Sequence, residues 1–196
     1  MSLERITQNA TGKKSEQYYS EGKMVIDKSK KVIIKTGKEQ YSEYLSLVND
    51  FEKELENGET TFLDFIEKIQ HYTSSIDDNY IGLEKKLIRG GYQKDFRRVN
   101  SLKERYFQQL TQGLLSKSSQ KIHAFILAKI CTLFFTHINP AIDEGYSQPQ
   151  IKVMINELVI KEVENILSER NILNIYSDDI LAMIYFLTGN CHINWD

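Results

Sequence analysis

The chain has 196 residues, of which 41% are hydrophobic and 27% are charged, and its formal net charge is −2. This is an ordinary globular balance, and the length suits one domain with a single core. No apolar run reaches the roughly 18–20 residues that span a bilayer, and the first residues lack the apolar core of a signal peptide. Cys131 and Cys191 show no Cys-x-x-Cys spacing, which suits a reducing compartment. We therefore expect a cytoplasmic protein without a membrane anchor.

Residues 1–37 are expected to form a flexible leader, because residues 1–22 are mostly polar. Within the leader, two short apolar runs at residues 24–26 and 32–34 flank a polar turn of four residues. This pattern predicts a small β-hairpin. A lone hairpin is marginally stable, so it has to pack on something.

From residue 39 the hydrophobic pattern takes the period of helices. Apolar stripes predict helices over about 39–57, 62–72, 81–88, 94–115, 118–139, 147–168 and 180–187. The sequence therefore predicts a mainly α fold, with a single domain of about seven helices over residues 38–196 behind the leader.

Glycine, proline and serine mark the helix ends. Gly90-Gly91 is expected to close the third helix, Asn139-Pro140 to bend or end the fifth, and Gly189 to stop the last. Ser118 or Ser119 is the expected cap of the fifth helix. That helix is apolar on nearly all sides, which predicts a place in the centre of the bundle.

The residue types that carry catalysis show no recognisable arrangement. None of the four histidines has the Arg-x-x-x-x-His spacing of a helical ribonuclease, and the chain contains no phosphate loop, His-Glu-x-x-His or Gly-x-Ser-x-Gly motif. Spacing also completes no metal site, because Cys191 and His192 are adjacent and diverge on most backbones. We therefore expect that the protein is not an enzyme and that it binds no metal, cofactor or small-molecule substrate.

Charge is unevenly distributed along the chain. Residues 38–80 carry 3 basic and 11 acidic side chains, whereas residues 81–105 carry 8 basic and 3 acidic ones. The two segments are either solvated helix faces or, for the basic one, a patch that meets nucleic acid or an acidic partner. The candidate patch residues are Lys85, Lys86, Arg89, Lys94, Arg97, Arg98 and Arg105.

The last residues form the second candidate site. Trp195 is the only tryptophan and lies one residue from the end of the sequence. A terminal tryptophan is costly to expose, so it is expected to dock either into its own core or across an oligomer or partner surface.

The ending of the sequence, MIYFLTGNCHINW at residues 183–195, resembles the terminus of proteins from ABC three-component systems. These are bacterial conflict operons directed against phage or plasmids, and Lamassu-type defence is similar. Residues 81–87, 119–122 and 138–140 resemble the same C-terminal domain, and residues 10–17 resemble the linker that often precedes it.

The resemblance implies a helical docking domain that tethers an effector, often a nuclease, to an SMC-like ABC ATPase and a middle component. It implies no catalytic residues. The implied structural or docking residues are Gly189, Asn190, Cys191, His192 and Trp195. Only about 37 residues precede the helical domain, too few for a nuclease, so either this is a stand-alone docking subunit or the effector has been removed.

Two functions follow from these features. The first is a non-catalytic docking and oligomerisation subunit of a defence complex, with the ATPase and the middle component as partners and with homo-oligomers expected. Its contact with nucleic acid would be indirect. The alternative is a helical protein that binds nucleic acid directly through the basic segment 85–105.

Overall fold

The computed structural model describes residues 5–10, 13–18, 37–58, 65–74, 82–112, 115–168 and 170–195. The chain divides into two compact units, Met1–Gly37 and Lys38–Asp196. The described strands lie in the first unit. The described helices form the second unit, apart from the first residue of the first helix.

The first unit contains a two-stranded antiparallel sheet. Strand β1 (Arg5–Ala10) pairs with β2 (Lys13–Tyr18), with Arg5 opposite Tyr18 and Ala10 opposite Lys13. The flexible leader expected over residues 1–37 stays a prediction. Thr11 and Gly12 lie between the two strands in the sequence, and a two-residue connection with glycine favours a hairpin. The hairpin predicted over 24–34 lies outside the described residues.

Seven helices make up the described part of the second unit, which confirms the predicted mainly α fold. They are α1 (Gly37–Glu56), α2 (Glu67–Thr73), α3 (Leu83–Arg89), α4 (Phe96–Gln112), α5 (Lys117–Asp143), α6 (residues 148–167) and α7 (Ser177–Gly189). A 3-10 turn, Gln93–Asp95, leads into α4. Helix α3 ends at Gly90-Gly91 as predicted, with Gly91 in the left-handed region at φ +78°.

Helix α5 contributes more buried side chains than any other described helix, in agreement with its apolar sequence. Its buried side chains include Ile122, Leu127 and Phe134, each at most 1% exposed. Among the described helices, α5 alone is long and apolar enough to cross a membrane, a test that the core helix of a globular protein also passes.

The start of α5 is capped differently from the prediction. Ser116, not Ser118 or Ser119, is the N-cap residue, because its backbone is extended and its hydroxyl accepts a hydrogen bond from Ser119 N at 3.2 Å. The Glu54 carboxylate on α1 accepts from Ser118 N at 3.0 and 3.1 Å. Two acceptors thus satisfy free amides of the first turn, and one of them is a negative charge at the positive end of the helix dipole.

Helices α5 and α6 each contain a π-helical segment. In α5 it covers Phe134–Ile138, directly before Asn139-Pro140, and in α6 it covers Ile155–Ile160. A proline removes one N–H and clashes with the carbonyl four residues earlier. The wider π turn separates those groups. This explains why Asn139-Pro140 does not end α5, which continues to Asp143.

Helix α4 packs along α7 and against α5 in the core. The Tyr106 ring meets Phe186 edge-on at 5.1 Å between centroids, and the Tyr106 hydroxyl lies 3.2 Å from His123 Nδ1. Burial lowers the pKa of His123 to about 4. His123 is therefore a neutral core residue at physiological pH, and its hydrogen-bond partner is the phenol of Tyr106.

Because of the Glu54 contact, we expect the stability of the protein to depend on pH in the acidic range. Burial raises the pKa of Glu54, but hydrogen bonds from Ser116 and Ser118 outweigh it, and the net pKa is lowered. A lowered folded-state pKa contributes stability above the ordinary carboxyl value of about 4.3, and that stability is lost as the pH falls through the folded-state pKa.

We expect Glu54→Gln to lower the free energy of unfolding by about 0.5–2 kcal/mol at neutral pH. The difference from wild type should shrink as the pH falls below about 4. Urea unfolding curves followed by circular dichroism at a series of pH values measure both effects. Glu56→Gln removes the same charge from an exposed position of α1. Equal losses for the two variants would contradict the capping role.

Candidate interaction surfaces

The C-terminal tail, residues 190–195, is anchored by Trp195 inside the chain's own core. The indole is 3% exposed, and its Nε1 donates a hydrogen bond to Thr188 Oγ1 at 3.0 Å. Three rings surround it. Tyr92 and Phe134 present their edges at 4.9 and 5.3 Å, and Tyr185 stacks at 5.9 Å. Of the two expected docking modes for Trp195, the structure shows the intramolecular one.

The same tail satisfies carbonyl groups at the end of α2. Asn190 Nδ2 donates to Tyr72 O at 3.0 Å, and His192 Nε2 lies 3.2 Å from Ser74 O. Because a carbonyl only accepts, Nε2 carries the proton in this contact. Burial lowers the pKa of His192, and the hydrogen bond to Ser74 offsets only part of that effect. His192 is therefore a neutral donor that holds α2 against the tail.

Helix α3 also depends on the tail, in two places. Lys86 is 4% exposed, and its ammonium group donates to Ile193 O at 3.2 Å. A Cβ at Gly90 would lie 2.9 Å from Trp195 O, so only glycine lets the tail backbone approach this closely. Lys86 therefore does not belong to the predicted basic patch, because its ammonium group is buried and donates to a backbone carbonyl of the tail.

The expected role of Gly189 in stopping α7 needs correction. Gly189 is the last residue of α7 and does not stop it. The chain turns at Cys191, which has φ +65° and whose neighbour His192 donates N–H to Leu187 O at 2.9 Å. A Cβ at Gly189 would lie 3.1 Å from Lys103 Cδ. Those neighbouring atoms belong to a flexible lysine side chain of α4, whereas the left-handed position of the turn is taken by Cys191, a non-glycine residue.

The remaining patch residues are exposed on two helices and the turn between them. Lys85 and Arg89 lie one turn apart on α3, Lys94 is in the 3-10 turn, and Arg97 and Arg98 start α4. Further along α4, Arg105 donates to Asp178 O at 3.2 Å and to Asp179 Oδ1 at 3.3 Å. Arg105 therefore bridges α4 to the first turn of α7. Arg97 and Arg98 form no ion pair with any residue that the structure describes.

No metal centre is found among the described residues, where no group of three or more His, Cys, Asp or Glu side chains is placed to hold an ion. Cys131 and Cys191 are free thiols. Burial raises the pKa of Cys131 to about 12, so its thiol stays protonated and unreactive at neutral pH.

Comparison with known families decides the identity of the helical unit. Residues 82–195, more than half of the chain, match the family model of C-terminal domain 9 of the ABC-three component (ABC-3C) systems, CTD9. The chain belongs to this family. The CTD9 match covers α3 to α7 and the tail up to Trp195, so every tail contact with α3, α5 and α7 lies within it. Searches of curated proteins and of solved structures found no match.

Sequence reasoning singled out the tail of this CTD9 domain but missed its partners. Thr188 and Lys86 are polar residues that the structure buries completely or nearly so, at 0% and 4% exposure. Their positions one turn from apolar residues on α7 and α3 were the only available signal. Which indole or carbonyl they meet depends on how the tail folds back, and no periodicity encodes that path.

The indole hydrogen bond can be tested with an isosteric change. Thr188→Val keeps the shape but leaves the buried Nε1–H of Trp195 without its acceptor. We expect the free energy of unfolding to fall by about 1–3 kcal/mol. Urea unfolding followed by the fluorescence of the single tryptophan measures the loss.

Thr132→Val is the matched control. The hydroxyls of Thr188 and Thr132 both donate to the carbonyl four residues earlier, but Thr132 is exposed on α5. Its stability should change by no more than about 0.5 kcal/mol. If Thr188→Val cost no more than this control, the hydrogen bond would not be the anchor of the tail.

Proposed function

We propose that this chain is a non-catalytic docking subunit of an ABC-3C defence system that acts in the bacterial cytoplasm against phage or plasmids. It would join an SMC-like ABC ATPase and a middle component, and it would assemble with further copies of itself. The observation that carries the proposal is the CTD9 match over residues 82–195.

The geometry of the tail supports a rigid scaffold for such docking. Trp195, Asn190 and His192 fasten the tail to α2 and α7 within one chain. Because these groups are satisfied internally, the docking surface is expected on the helices that the tail supports. We infer that Gly189, Asn190, Cys191, His192 and Trp195, which were expected to be structural or docking residues, position those helices.

Co-expression with the ATPase and the middle component encoded beside it tests the docking role. We expect the tagged chain to retain both proteins through affinity purification and gel filtration, and light scattering to give the chain alone a dimeric or larger mass. A strict monomer that passes through purification alone would contradict the proposal. Thr188→Val, if folded at low temperature, should lose the partners on warming before wild type does, because the tail anchors the scaffold.

Direct binding of nucleic acid is the second candidate function. Arg97 and Arg98 at the start of α4 favour it, because they are exposed and pair with no carboxylate that the structure describes. Binding to duplex DNA should weaken steeply with salt, by a slope of about −0.9 per phosphate contacted in a plot of log affinity against log salt. Fluorescence anisotropy with a labelled duplex measures it.

Arg97→Glu combined with Arg98→Glu should abolish this binding, because it replaces two positive charges with two negative ones. Lys68→Glu with Lys117→Glu makes the same change in charge at exposed residues of α2 and α5 outside the basic segment. A similar loss for both pairs would show a nonspecific effect of net charge, and no binding by wild type at low salt would exclude this function.

A further inference from the structure

A cleft of about 260 Å³ lies between α4, α6 and α7. Side chains of all three helices and of the tail form its apolar lining, which comprises Val99, Leu102, Ile155, Ile160, Leu181, Tyr185 and Trp195. The volume is below the roughly 300–1,000 Å³ of sites for drug-sized ligands and cofactors. It suits one large side chain of another protein better than a small-molecule substrate.

Among the described residues that line the cleft, one positively charged side chain has no carboxylate partner. Lys152 Nζ lies 2.5 Å from Asp95 Oδ2 and 5.7 Å from the centroid of the Tyr92 ring, so its charge is neutralised. Arg98 also lines the cleft, is exposed, and pairs with no described carboxylate. Asn156 completes the polar lining with an amide.

Tyr185 also lines the cleft. Burial first, and then the neighbouring Asp95 and Tyr92, raise its pKa to about 12, which the nearby Arg98 only partly offsets. The phenol is therefore neutral and adds no negative charge to balance Arg98. A carboxylate that enters the cleft would contact the Arg98 guanidinium, a group that binds carboxylates with charge-assisted hydrogen bonds.

We propose that this cleft binds an acidic segment of a partner protein that inserts one large apolar side chain, with a neighbouring carboxylate on Arg98. The apolar walls fix the side chain, and the Arg98 guanidinium selects for the negative charge beside it. The inference deepens the proposed docking function and rests on it for the source of the segment. It places that contact next to Trp195, within the CTD9 match.

Trp195 provides a direct readout, because it lines the cleft and is the only tryptophan in the chain. The probe is the capped peptide acetyl-Asp-Leu-Glu-amide. We expect a saturable change in tryptophan fluorescence with a dissociation constant of about 1 mM. Acetyl-Asn-Leu-Gln-amide should bind roughly tenfold more weakly, since it lacks the charge-assisted bond. Acetyl-Asp-Gly-Glu-amide should not bind, since it lacks the apolar side chain.

Two variants with the same net charge test whether Arg98 is the cation that binds the carboxylate of the peptide. Arg98→Gln should remove the roughly tenfold preference for the acidic peptide. Arg97→Gln, one residue earlier and outside the cleft lining, should keep it. Leu181→Phe, which enlarges a partly exposed wall residue, should block binding of both leucine peptides while circular dichroism confirms the fold. Equal behaviour of Arg98→Gln and Arg97→Gln, or no fluorescence change up to the solubility limit, overturns the inference.

The same variants separate this inference from the proposed function. If Arg98→Gln weakens both peptide binding and retention of the operon partners, the cleft is their contact. If the wild type binds the acidic peptide but retains no partner, the cleft is supported and the docking function is wrong. If partners are retained equally by wild type and Leu181→Phe, docking uses another surface and the cleft assignment is overturned.

Discussion

Burial of the Trp195 indole is the interaction on which the arrangement of the helical unit depends. The ring contacts Tyr92 after α3, Phe134 in α5 and Tyr185 in α7, so one side chain fixes three elements that are distant in sequence. Removing a buried tryptophan side chain costs about 3–5 kcal/mol, a large fraction of the roughly 5–15 kcal/mol by which domains are stable. The hydrogen bond to Thr188 orients the ring. Gly90 has no Cβ and so leaves room for the backbone of Trp195.

The tail also links the part of the helical unit that the CTD9 match covers to the part that precedes the match. Helices α1 and α2 precede residue 82, where the family match begins, yet they belong to the same compact unit. The polar groups of Asn190 and His192 meet the carbonyls of Tyr72 and Ser74, and Glu54 caps α5. Polar contacts of this kind need particular partner atoms. The family core therefore positions α1 and α2 through specific contacts as well as through apolar packing.

Periodicity in the sequence was sufficient to predict the helices, because amphipathic stripes and turn residues are local signals. It predicted the end of α3 at Gly90-Gly91 and the central place of α5, and the ending MIYFLTGNCHINW pointed to the family. It could not predict the buried Lys86, the cap at Ser116 or the turn at Cys191. Each of these depends on a partner brought close by the folded tail or by a neighbouring helix, which is a tertiary effect. The cleft at Arg98 has the same origin, since three helices contribute to it.

The π segments of α5 and α6 have a consequence for how members of this family can vary in length. Each π turn holds one residue more than the α-helix needs over the same rise. Deleting one residue there restores α-helical bonding and keeps the flanking faces in register, whereas a deletion elsewhere in a helix rotates everything after it by about 100°. Phe135, 73% exposed within the α5 segment, is a residue whose loss leaves no cavity. Insertions and deletions between relatives should therefore concentrate at these two turns.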